Sequence, residues 1–280
     1  MASDQFGNPY QPPSAGYNQA QQYQPAVMEE KPGGPWSMDY FGAFDMIHRR
    51  PDWFVNCMLM FVCMLIPVVG GLVMSGYMYE CVEVLHRTRG SYYPKLDFGR
   101  FVEYLLRGVG PFLVGLVFAT IMVLVMLVGY GIMIAVVVGA SAAGGEKNAG
   151  AAAGIGALIS MVLFFALFMT VSLLGTFVLL PLQLRGGMSS DIGQAFNFNW
   201  AMDFVKKTWV EMLLVFLFQL GVGIVAELAI FLTCFVGILV VVGYIFLISA
   251  WLQFQLYRVY LSRGGDPIPL KPAPLPMPGM

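Results

Sequence analysis

Charge is what this chain has least of. Asp, Glu, Lys and Arg together make up 11% of its 280 residues, where a soluble domain carries roughly a quarter. Fourteen of the fifteen Lys and Arg lie outside three long apolar stretches, 51–86, 108–184 and 208–257, and Lys147 is the exception. A soluble core rarely excludes cations over such lengths, whereas hydrocarbon must. A formal net charge of -1 offers no basic face for phosphates, which excludes a nucleic-acid partner. Histidine is almost missing: His48 and His86 stand alone, in no metal-spaced cluster. The four cysteines, Cys57, Cys63, Cys81 and Cys234, all fall in apolar stretches without Cys-x-x-Cys spacing, and read as small buried hydrophobes. Gly-x-Ser-x-Gly, Walker and dinucleotide motifs are absent too. No catalytic residue, cofactor or metal is therefore assigned, and the chain is not expected to be an enzyme. A basic start followed by an apolar run is lacking in residues 1–35, so no cleavable signal is expected.

What is there reads as an all-α, polytopic transmembrane helical bundle. Residues 1–35 are rich in Gln, Pro and Tyr and cannot bury enough surface to offset chain entropy, so a disordered tail is expected. The membrane domain is placed at 36–264. Residues 265–280 place Pro at nearly every second position from Pro267, which favours an extended disordered tail, read first as inert and alternatively as a docking peptide for a protein partner.

Between the tails the sequence states one pattern three times. Aromatic-rich segments with basic ends, at 40–50, 96–107 and 195–207, read as cytoplasmic amphipathic helices at the interface. Each leads into an apolar block that ends near Arg and Gly: Arg89-Gly90, Arg185-Gly186-Gly187 and Arg263-Gly264-Gly265. Arg followed by Gly is also how an ordinary helix ends at a membrane surface.

The third block is long enough for two spans, with a tight turn at Thr233-Cys234. The second is broken by a Gly- and Ala-rich polar loop, 141–150, which predicts helices over about 110–138 and 154–184. The first block holds Pro67-Val-Val-Gly-Gly71, a strong breaker. Were it to cross once, Lys31, Arg49, Arg50 and Lys147 would face one side and the other eleven cations the opposite side. Were it to turn back, Lys147 alone would be external, which is what the positive-inside rule favours. The expectation is six embedded helices rather than five, as three hairpins in the cytoplasmic (inner) membrane, with both termini cytoplasmic. The first hairpin is short, since 54–66 spans only about 20 Å.

Ile66-Pro-Val-Val-Gly-Gly71, Gly76-Tyr77, the run His86-Arg-Thr-Arg89 and Tyr93-Pro-Lys-Leu-Asp97-Phe resemble domain-of-unknown-function family 4013, most clearly over 45–115. The resemblance implies a prokaryotic multi-pass membrane protein, and supplies no activity or site residues. The layout also looks like the membrane domain attached to some glycerophosphodiester phosphodiesterases. No phosphodiesterase catalytic domain accompanies it here, so that chemistry does not carry over.

Candidate polar residues inside the membrane are Glu227, isolated between Glu211 and Arg258, and Glu80 and Glu83, which share a helix face. Glu83 and Arg87 are spaced for an intrahelical ion pair. Counted from Thr208, Glu227 lies about 28 Å along its helix, near the outer interface. Candidate lipid-headgroup contacts are Arg49, Arg50, Arg87, Arg89, Arg107, Arg185, Lys206, Lys207, Arg258 and Arg263. Small residues at Gly108, Gly110, Gly115, Gly129, Gly131, Gly150, Gly154, Gly221 and Gly223 permit close helix packing. Two functions fit: a non-enzymatic protein that organises lipid or partners at the cytoplasmic membrane, and a small-solute or ion transporter.

Overall fold

The computed structural model describes residues 36–189 and 192–270, so the expected tail over 1–35 lies outside the described residues. Every regular element among the described residues is helical: α1 (Gly42–His48), α2 (Trp53–Met64), α3 (Val69–Arg87), a 3-10 turn (Phe98–Arg100), α4 (Phe101–Ala143), α5 (Gly145–Met188), α6 (Ile192–Ala195), α7 (Phe198–Leu232) and α8 (Ile238–Ser262). Four helices are long and apolar enough to cross a membrane, over Phe98–Ala143, Gly150–Met188, Phe198–Leu232 and Ile238–Ser262. The chain is thus a helical protein of membrane type.

Local chemistry sets the breaks. Pro67 offers no N–H, and Val68, with φ of 63°, turns the chain between α2 and α3. The turn is so tight that a Cβ on Gly70 would lie 2.0 Å from the Cys63 carbonyl oxygen. Asn197 caps α7 by accepting from the Trp200 N–H at 3.0 Å, satisfying an orphan donor of the first turn. The turn after α7 comes at Thr233 and Cys234 as expected, with Cys234 and Phe235 both at positive φ and the Phe235 N–H donating to the Ile230 carbonyl at 2.8 Å. Cys234 is exposed there, while Cys57, Cys63 and Cys81 are buried and all four are free thiols.

Two features differ from the sequence reading. The stretch 141–150 is not a loop of that length: α4 and α5 run on to a turn at Gly144. The segments at 96–107 and 195–207 are largely the opening turns of α4 and α7 rather than separate helices. With 43 and 44 residues, α4 and α5 each reach about 65 Å, well beyond a hydrocarbon core of about 30 Å.

The Arg-Gly signals also divide. After α3, Gly90 donates to the Leu85 carbonyl at 2.7 Å, with Arg89 at φ of 54°. After α8, Gly265 donates to the Tyr260 carbonyl at 3.1 Å, with Gly264 at φ of 75°. Both are left-handed helix ends. Arg185-Gly186-Gly187 forms the last turn of α5, which ends at Met188 without a left-handed residue, and glycine there also serves packing: a Cβ on Gly187 would fall 2.1 Å from the Tyr79 ring.

The buried core gathers where α2, α4 and α7 begin and α3, α5 and α8 end. Fully buried Tyr77, Tyr79, Tyr93, Tyr104, Tyr257 and Tyr260 fill it. Helices α3 and α4 cross at glycine, for a Cβ on Gly76 or on Gly108 would sit 1.8 Å from the Tyr104 or Leu72 carbonyl oxygen respectively. Residues 265–270, counted by composition with the Pro-rich tail, dock on this core: Asp266 accepts from Trp200 at 2.9 Å, and Ile268, 3% exposed, donates its N–H to Tyr257 at 2.8 Å. Residues 271–280 lie outside the described residues.

Candidate functional site

Two groupings of side chains follow from this arrangement. The first is an ionic layer within the tyrosine core. Glu80 and Glu83 on α3 are 4% and 3% exposed, and buried carboxylates need partners. Glu80 receives Arg100 at 2.6 Å, and Arg100 also holds Glu103 at 2.8 Å. Glu83 binds Arg87 at 2.7 Å, the pair expected from spacing, and also Arg107. The Arg107 Nε donates to the Gly187 carbonyl at 3.0 Å, so one guanidinium joins α3, α4 and α5. Beside this layer Asn56 donates to the Tyr77 hydroxyl at 2.9 Å and accepts from the Leu96 N–H at 2.9 Å, and Tyr77 donates to the Pro94 carbonyl.

The cations named from sequence are mostly engaged within the fold. Arg50 holds Asp52 at 2.9 Å, donates to the Tyr93 carbonyl at 2.9 Å and to the Tyr92 hydroxyl at 3.2 Å. The hydrogen bond from Arg50 holds the Asp52 carboxyl below its usual range. Arg49 pairs with Asp45. Arg185 donates to Gln194 at 2.6 Å and lies 5.1 Å over the Trp200 ring, and Arg258 lies 4.5 Å over the Trp36 ring. Lys207 binds Asp203 at 2.8 Å. Arg263 binds Glu211 through both terminal nitrogens, one at 2.9 Å. Arg49, Arg89 and Lys206 are exposed. Glu227 is exposed on α7.

The second grouping is a half-open cavity of about 520 Å³ between α7 and α8, lined also by the start of α1. Phe41, just before α1, Phe44 of α1, Phe218, Gly221 and Val225 of α7, and Tyr244 of α8 are among its walls. Phe218 meets Tyr40 and Phe41 at ring distances of 5.6 Å. Burial, and then the Glu211 carboxylate, push the Tyr40 phenol above its ordinary value. Sequence reading missed Glu211 and Tyr40, although Glu211 stands seven residues before Phe218 on the same helix face.

Glycines named for packing separate in the same way. Gly108, Gly110 and Gly129 meet neighbouring helices, and a Cβ on Gly115 would lie 3.2 Å from the Gln183 side chain, while Gly131, Gly150, Gly154, Gly221 and Gly223 face open space. Among the described residues no group of three His, Cys, Asp or Glu side chains is placed to hold a metal ion.

Neither the curated proteins nor the solved structures contain a match to this chain. A family model does match, over residues 59–235, from the turn-bearing first block through the end of α7. The chain belongs to the family described as protein of unknown function, DUF4013.

Proposed function

We propose that this is a non-enzymatic integral membrane protein that organises lipid, embedding six helices as three hairpins and keeping a polar, arginine-rich base on the cytoplasmic face. The observation that carries the reading is the division of the fold. Charged side chains and buried tyrosines crowd one end, while the outer parts of α4, α5 and α7 expose Leu, Val, Ile and Phe on nearly all sides. Water would penalise such surfaces heavily, whereas lipid solvates them. The short first hairpin is supported by contacts between its two ends: Arg50, before α2, donates to the Tyr93 carbonyl after α3, and the Tyr93 hydroxyl donates to the Ile47 carbonyl at 3.2 Å. With α2 of 12 residues, about 18 Å long, that hairpin enters the bilayer without crossing it. The base presents Arg49, Arg89 and Lys206 outward as headgroup contacts.

Purification from native membrane in mild detergent, followed by mass spectrometry of the retained lipid, tests the function. Retention of defined phospholipid above the level of an unrelated membrane protein is the expected result. Retention no different from that reference contradicts the proposal.

A further inference from the structure

We infer that the cavity between α1, α7 and α8 holds one acyl chain of a zwitterionic glycerophospholipid, whose headgroup sits at the Glu211–Arg263 pair. The inference rests on the lipid-organising reading above and assigns it a site.

The first reason is the chemistry of the walls. They are built from Phe, Leu, Val, Ile, Ala and Gly with the ring of Tyr244, and they lie between two helices of membrane-crossing length and composition. A ligand that reaches them comes from the hydrocarbon phase.

Length gives the second. From Glu211 at the mouth the α7 wall runs through Leu217 to Ala229, about 27 Å of helix and close to the whole core of about 30 Å. An acyl chain anchored at Glu211 therefore fills the part nearest the mouth, about Leu217 to Val225, within one leaflet of roughly 15 Å. A chain in this groove lies parallel to its neighbours in the leaflet, and the volume of about 520 Å³ is that of a small-molecule site.

The third reason is the mouth. Two helical turns before Phe218, Glu211 stands in line with the groove, bound to Arg263. Arg263 is 44% exposed at its side chain and Glu211 16%, so both charges are reachable from the surface. A guanidinium beside a carboxylate is the complement of a phosphate followed by an ammonium: the phosphate oxygens accept from Arg263, and the ammonium lies against Glu211. A purely anionic headgroup has no ammonium to set against Glu211.

Gly221 makes the site testable. It lines the groove, and a Cβ there meets no atom within 4 Å, so a side chain placed there starts in open space and occupies the groove. Gly223, equally open, is the control outside the lining residues. The full chain is purified with an equimolar mixture of phosphatidylethanolamine and phosphatidylglycerol, and retained lipid is counted by native mass spectrometry alongside thermal unfolding. Gly221→Phe is expected to lower retained phosphatidylethanolamine about tenfold, with Gly223→Phe at the wild-type level and neither variant melting earlier. Gly221→Leu, a milder filling, should lower it in the same direction. Glu211→Gln should shift the selection toward phosphatidylglycerol by about two- to fivefold, the range of a partly exposed ion pair. Wild-type retention in Gly221→Phe, or equal loss in both glycine variants, overturns the groove assignment while leaving the lipid-organising reading intact. A wild-type chain that retains neither lipid overturns both.

Discussion

The two ends of α4 obey different rules. Near its start Tyr104, Gly108, Gly110, Pro111 and Val114 are buried, and beyond them Gly129 is the next buried residue. The first part packs α3 and α5 through an arginine shared between helices and through glycines pressed against carbonyl oxygens. The outer part meets α5 by smaller contacts, such as the ring of Phe164 over Gly129 and that of Phe118 over Gly175. The base is specified by polar pairing and backbone fit, which tolerate no substitute. The outer hairpin is specified by length and hydrophobicity, which many sequences satisfy.

Breaking the ionic layer should give the largest effect. Glu83→Ala strands Arg107, whose side chain is 10% exposed, and loss of one member of a buried pair costs about 3–5 kcal/mol. Thermal or denaturant unfolding in detergent reads this, and a change below about 1 kcal/mol would mean that the layer is solvated. Gly108→Ala comes next, at about 1–3 kcal/mol of destabilisation from overpacking against the Leu72 carbonyl. The same substitution at Gly131, where a Cβ meets nothing, should be neutral or stabilise by about 0.5–1 kcal/mol. Opposite signs at two glycines of one helix would sharpen the contrast between base and outer hairpin, and equal costs would break it.

The smallest effect is a pH dependence at the base. The folded state holds the Asp52 carboxyl below its ordinary value through Arg50, so the unfolded chain binds the proton more readily. The contribution is present above the unfolded value near 4 and is lost as pH falls through the folded value. Asp52→Asn should remove that acid-side loss of stability, at most about 1 kcal/mol for a pair of this exposure. An identical acid profile in the variant would assign the dependence to other carboxylates.

Much of this arrangement was legible from residues alone. Pro67 to Gly71 marks a break because proline and glycine act locally, and the same holds for Thr233-Cys234 and for the Glu83 to Arg87 spacing. The partners of Arg100 and Arg107 were not legible, since α3 meets α4 through residues 20 and 24 positions apart and the choice is made by packing. The reach of α4 and α5 to Gly144 was missed because Gly and Ala in 141–150 looked like breakers, whereas neither forbids helix. Arg185-Gly186-Gly187 was legible as a helix end, since α5 stops at Met188, but the close approach of Gly187 to the Tyr79 ring was not. The candidate groove was hidden for a related reason: Gly221 looks like Gly108 in sequence, and only the placement of α8 and α1 leaves it facing space.

Cysteine labelling from the two faces of sealed membrane vesicles tests the central claim most directly, using Arg49→Cys and Ser91→Cys in a Cys234→Ser background, with native Cys234 as reporter of the far end. All three positions are exposed. The account predicts that an impermeant thiol reagent modifies positions 49 and 91 from one face, and Cys234 only from the other. Modification of 49 and 91 from opposite faces would contradict it, because the first block would then cross the membrane and the base could not lie on one side.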